Sequence, residues 1–319
     1  MRITTQGLLR NSVMNINRHF ERLAENQRQL SSGKRVHVPS DDPIATQRIL
    51  RWRKVEEGVK QYQRNINTGN IWMRTTESTI VSVREIAQTA YETALVAGNS
   101  LVPQETRDGM AQQIETLLKD VLRMANVAVE GNYIFAGHAT DTRPFSENVN
   151  IVTGLITSVD YNGDGGARDV QISDTTDVTI NALGSNDADD DGVADYSGSA
   201  VFRDANLGVD IFDTLINLRD DLTAGNTDNI NNLRVPELAD VIDNLTVQQS
   251  IIGLGQEAVQ LTGDILGKEE IDVSTEIDSS EQADLAKVVA DLNYDQTIYQ
   301  ASLFASTQLF QGTLFDFLR

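Results

Sequence analysis

The sequence predicts a mainly α protein. Long antiparallel helices form a nested bundle or coiled coil from the N- and C-terminal halves, with a small inserted β-rich domain. Three observations carry this expectation. Helical apolar spacing runs through residues 8–30, 43–97 and about 103–129, then again from Val209 onward with no Pro after Pro236. Residues 143–205 switch to Gly, Asn, Asp, Thr and Ser with alternating apolar positions. Amphipathic helices of matching length stand at both ends, so the ends are expected to pair. The expected domains are 1–42 with 276–319 (terminal coiled coil), 43–142 with 206–275 (helical bundle) and 143–205 (β-rich outer domain).

Taken in order, residues 8–30 carry two interleaved rows seven apart: Leu9, Ile16, Leu23 and Leu30, with Gln6, Val13, Phe20 and Gln27. Two Gln in the seam make a helix pair alone marginal. Gly33 suits a left-handed cap, and Val36-His37-Val38 before Pro39 reads as extended. Asp42-Pro43 is a strong helix start. From there a helix of about 55 residues, free of Pro, would reach about 80 Å, more than a compact globule needs. The helix restarting at Val102-Pro103 is expected to reach Val129 and stop at Glu130-Gly131-Asn132, before a short strand at Tyr133–Gly137.

In the β-rich part, Val159 and Tyr161, then Asn162-Gly163-Asp164-Gly165, then Val170 and Ile172 form a hairpin signature. Val178 and Ile180 suggest another strand. Two helices follow, from Val209 to Leu222 and from Pro236 to Ile265. A final helix is expected after Ser279, with Gln282 completing a capping box. Its seam is Leu285, Val289, Leu292, Tyr299, Leu303, Phe310, Leu314 and Phe317.

The 319 residues suit about two domains, or more if they are small. The net charge of -21 disfavours binding to nucleic acid or anionic lipid. That charge is uneven: residues 1–74 hold 14 basic and 6 acidic residues, while residues 141–205 hold 3 and 13. No apolar run is long enough for a membrane span, and Met1–Gln6 lacks the apolar stretch of a cleaved secretory signal. Without Cys there is no disulfide, thiol catalysis or Cys-ligated metal.

No catalytic or cofactor motif stands out, and the expectation is a non-enzyme without cofactor. His19, His37 and His138 share no helix face with a metal-ligand partner. Asp187, Asp189 and Asp191 before Gly192 match the first half of a calcium loop. Gly198 replaces the bidentate Glu at position twelve, which removes two oxygens. Asp160, Asn162, Asp164 and Gly165 repeat the spacing, with Gln171 at position twelve.

Three stretches together resemble the flagellin superfamily, and within it the junction subunits between hook and filament. They are Met1-Arg2-Ile3-Thr4-Thr5 with Leu30–Val36 and Pro39-Ser40-Asp41-Asp42-Pro43; Asn132–Gly137; and Gln300-Ala301-Ser302-Leu303 with Leu314–Leu318. The resemblance implies a structural subunit that polymerises at the hook tip. Its partners would be hook-associated protein 1, flagellin, further copies in a ring, and an export chaperone on the C-terminal helix. It would be extracellular, exported by the flagellar type III apparatus without a cleaved signal peptide. Leu9, Val13, Ile16, Phe20, Leu23 and Leu30, with the final-helix seam, would be the assembly residues. Flagellin itself is the alternative within the superfamily. Against it, Pro39–Pro43 stands where flagellins usually carry a Lys-Asp-Asp-Ala-type stretch. A calcium-dependent adhesin rests only on Asp187–Asp191.

Overall fold

The computed structural model describes residues 5–187 and 191–317, with side chains for all of these except 5, 6, 8, 9 and 309–317. The described residues form two units, one inserted into the other along the sequence. Residues 59–267 make the inner unit; residues up to 58 and from 268 onward make the terminal unit. Both divisions fall inside helices: α2 (Pro43–Ala97) and α6 (Val235–Glu281) each contribute to both units.

The terminal unit contains α1 (Thr5–Ser32), the start of α2, the end of α6 and α7 (Leu285–Phe317). Gly33 closes α1 in the left-handed region (φ 71°), donating its N–H to Gln29 O at 2.8 Å. A Cβ is disfavoured there, so Gly33→Ala is expected to lower stability by about 1 kcal/mol in a urea melt. Asp42 Oδ1 accepts the Ala45 N–H at 2.9 Å, and Pro43 takes the first helical position. Val36, Ala45 and Ile49 form a small buried cluster beside this corner.

The final helix starts later than the capping box suggested. Ser279 lies inside α6, and its Oγ donates to Glu276 O at 3.0 Å. The cap is Asp284, whose Oδ1 accepts the Lys287 N–H at 3.1 Å. A serine that can bond back to its own helix loses to an aspartate beyond the helix end.

In the inner unit, α3 (Gln104–Ala125) stops before Val129. Asn126 ends it: Nδ2 donates to Leu122 O and to Phe145 O, while Oδ1 accepts the Phe145 N–H. The chain then makes a tight hairpin, β1 (Ala128–Val129) against β2 (Asn132–Tyr133), turning at Glu130 and Gly131, both with positive φ. Of the strand expected over Tyr133–Gly137, only Tyr133 is in a strand. Ile134, Phe135 and Ala136 are instead wholly buried.

The hairpin across Asn162–Gly165 does not form. β4 (Ile156–Tyr161) pairs antiparallel with β3 (Phe145–Val149), while β5 (Asp169–Ser173) pairs with β6 (Thr176–Thr179). Burial decides this. Phe145 stacks near Tyr161 (5.1 Å), Phe202 (5.3 Å) and Phe212 (5.1 Å), and Phe135 meets Phe202 edge-on at 4.9 Å. Asp164 also bends back, accepting N–H bonds from His138 and Gly166. Gly137 (φ 68°) lies so close that a Cβ would sit 2.1 Å from Asp164 Oδ1.

A third sheet orders β7 (Leu183–Ser185), β8 (Ala200–Asp204) and β9 (Val209–Asp210), with β7 parallel to β8. Asp210 caps α4 (Ile211–Ala224), accepting from Phe212 and Asp213 N–H groups. Burial pushes its carboxyl up, and the adjacent Arg203 guanidinium partly opposes that. A short α5 (Thr227–Asn229) and a π turn at Ile230–Arg234 lead into α6. Asn244 of α6 donates to Ala200 O at 2.9 Å, tying helix to sheet.

Candidate assembly surface

The first and last helices pair. Residues late in α1 meet residues early in α7, so the two run antiparallel. The covered line of α7 is Val288, Leu292, Asp295, Tyr299, Ser302 and Ser306, spaced four and three apart. Opposite lie Ile16, His19, Leu23 and Asn26, each half-buried. His19 Nδ1 is 3.4 Å from Asp295 Oδ1, and Asn26 Nδ2 donates to Asp295 Oδ2 at 3.1 Å. Phe20 and Tyr299 rings tilt together at 6.1 Å.

This interior is partly polar, so much of the apolar surface lies elsewhere. Of the expected seam, Ile16, Leu23, Leu292 and Tyr299 are half-buried between the helices. Val13, Phe20, Leu30, Leu285, Val289 and Leu303 remain exposed; Phe20 is 56% exposed and Phe304, which the heptad reading did not include, 66%. Val288 takes the covered position one residue before Val289. Leu9, Phe310, Leu314 and Phe317 lie outside the described side chains.

The pair is anchored at one end by the turn after α1. Ala283 N–H donates to Gly33 O at 2.9 Å and Arg35 N–H to Glu281 O at 2.7 Å. Glu281 Oε1 receives Lys34 Nζ at 2.8 Å and Arg53 Nη2 at 2.9 Å. Burial raises the Glu281 carboxyl, but the Lys34 hydrogen bond, its charge and that of Arg53 outweigh this and hold it below the ordinary glutamate value. Its folded value is thus below the unfolded one. The stabilisation is complete above the unfolded value and disappears as pH falls through the folded one. Thermal melts across this acid window should lose stability more steeply for the native protein than for Glu281→Gln.

The acidic loop is placed in part. Asp187 is buried, and its Oδ2 accepts the Gly192 N–H at 2.9 Å. Asp191 Oδ1 accepts the Val193 N–H at 2.8 Å, and Asp189 lies outside the described residues. In the second acidic stretch, Asp160 accepts from Asn148, Asn162 donates to Ser146, and Asp164 closes its own turn. Asp295 and His19 were missed as a pair because 276 residues separate them. No helix among the described residues is long and apolar enough to cross a membrane.

The described helices group into two units, and α1 pairs with α7 in the terminal one. Residues 3–140 match the family described as the bacterial flagellin N-terminal helical region. The chain is more narrowly similar to flagellar hook-associated protein 3. It is 31% identical to that of Escherichia coli K12 over 203 residues, 63% of this chain and 62% of the relative. It is 30% identical to that of Salmonella typhimurium LT2 over 190 residues, 58% of this chain and 59% of the relative. The chain thus spans about three fifths of the length of these curated relatives. Among solved structures, its fold matches a hook-associated protein from Vibrio parahaemolyticus (TM-score 0.61, 18% identity, 76% of this chain and 100% of that one). It also matches hook-associated protein 3 from Legionella pneumophila (TM-score 0.60, 15% identity, 72% and 98%).

Proposed function

We propose that the protein is a structural subunit of the bacterial flagellum that polymerises at the hook tip and joins hook to filament. The observation that carries this is the pair of end helices. They cover a partly polar line between them and leave Val13, Phe20, Leu30, Leu285, Val289, Leu303 and Phe304 to solvent. A two-helix pair with an outer apolar face is stabilised when another molecule covers that face. Similarity to hook-associated protein 3 supports the location.

In this reading the terminal segments 1–42 and 276–319 supply the polymerisation contacts. Residues 43–142 with 206–275 form the bundle, and residues 143–205 form the outer domain. Hook-associated protein 1 lies on the hook side and flagellin on the filament side, with further copies completing a ring. An export chaperone holds the C-terminal helix in the cell, and the chain leaves unprocessed by the flagellar type III route. The role is extracellular, structural and not enzymatic.

Deleting the gene tests this. The expected result is hooks without filaments and unassembled flagellin in the medium, both restored by the native gene. Hooks lacking filaments with no released flagellin would point to a filament subunit instead. Antibody label against the chain should mark hook tips in electron micrographs.

A further inference from the structure

The turn after α1 gathers three side chains that the sequence reading kept apart. Gly33 reverses the chain, so His37 and Asp41 return beside Glu25 of α1. One ligand atom from each of Glu25, His37 and Asp41 lies within 4.8 Å of the other two. Asp41 Oδ2 accepts the N–H groups of His37 (3.0 Å) and Val38 (3.1 Å), which closes the turn.

The hydrogen bonds assign the imidazole tautomer. Ser32 Oγ donates to Arg28 O at 2.9 Å and accepts the Lys34 N–H at 3.1 Å. Its proton is spent, so toward His37 Nε2, 2.7 Å away, it can only accept. In the neutral ring Nε2 therefore carries the hydrogen and Nδ1 a lone pair. Nδ1 is buried and has no hydrogen-bond partner. One ring nitrogen of His37 lies within 4.8 Å of both carboxylates, and Nδ1 is the nitrogen left with a lone pair for a cation. Arg28 supplies one to the carboxylates, pairing with Glu25 Oε2 and lying 3.6 Å from Asp41 Oδ2, but leaves Nδ1 unmet. Its side chain is nearly half exposed and can swing into solvent.

We infer that Glu25, His37 and Asp41 form a site for a divalent transition metal of the zinc class. One imidazole nitrogen and two carboxylate oxygens suit a borderline cation and disfavour Ca²⁺ or Mg²⁺, which take oxygen ligands. Bonds of about 2.0–2.2 Å require the three atoms to close slightly, which rotation of the Glu25 and Asp41 side chains supplies. Ser32 is the orienting group behind the ring. The bound ion joins the last turns of α1 to the chain entering α2, and Arg28 is the internal cation it displaces. This inference stands apart from the flagellar reading.

Calorimetric titration of the chelator-stripped full-length protein with ZnCl₂ tests it, with CaCl₂ in parallel. The expected result is one Zn²⁺ per chain at this site. His37→Ala and Glu25→Gln each abolish that binding, Ser32→Ala weakens it about 10–100-fold, and Arg28→Ala tightens it. Circular dichroism confirms that each variant is folded. Absence of Zn²⁺ heat overturns the site, as does binding unchanged in both His37→Ala and Glu25→Gln, or Ca²⁺ binding of equal strength.

Discussion

Replacing Arg219 by methionine will lower the unfolding free energy by about 3–5 kcal/mol, measured by urea denaturation. Arg219 of α4 is almost wholly enclosed. Its Nη1 lies 2.7 Å from Glu115 Oε2 of α3 and donates to Ile156 O of β4, also at 2.7 Å. One guanidinium thus joins two helices and a strand. Without it, the buried Glu115 carboxylate keeps, among the described residues, Lys119 Nζ at 3.2 Å from Oε1, and Ile156 O loses the Arg219 donor. The cost is mostly that of the abandoned charge, not of the lost attraction. The double variant Arg219→Met with Glu115→Leu should therefore recover much of the loss. A single variant costing under about 1 kcal/mol would mean that water reaches the pair.

The second large effect is on assembly. Val13→Asp with Phe304→Asp should leave the free chain about as stable as the native protein, because both side chains already face solvent. Stability should change by no more than about 0.5 kcal/mol per site. Filament formation in a deletion strain carrying this variant should fail, since a charge buried without a partner opposes any covered interface. Normal filaments from the double variant would remove these residues from the assembly surface.

How much of this was legible depended on distance along the chain. The cap at Gly33, the start at Asp42-Pro43 and the 55-residue α2 follow from neighbours within one or two turns. Those rules need no tertiary information. The pairing of β4 was misread because Asn162-Gly163-Asp164-Gly165 has the local chemistry of a hairpin turn. The choice of partner was made by Phe145, Phe202 and Phe212, which meet only in the folded core. In α7 the apolar pattern pointed to Leu285 and Val289, but the covered line contains Asp295, Ser302 and Ser306. A hydrophobicity rule cannot find an interior that is partly polar. The Glu25, His37 and Asp41 cluster was hidden for another reason: the three share no helix face, and only the reversal at Gly33 gathers them.

Asp295 has a consequence for fidelity. It is the buried carboxylate at the centre of the α1–α7 contact, and His19 and Asn26 stand where they can meet it. Because His19 and Asn26 are seven residues apart, sliding one helix by a heptad would leave Asp295 with one of these partners and bring Ser12 or Gly33 to the place of the other. The two extremities of the chain therefore have one favoured alignment. Where many identical helices crowd together, such a pin lets each molecule find its own other end and reject a shifted match.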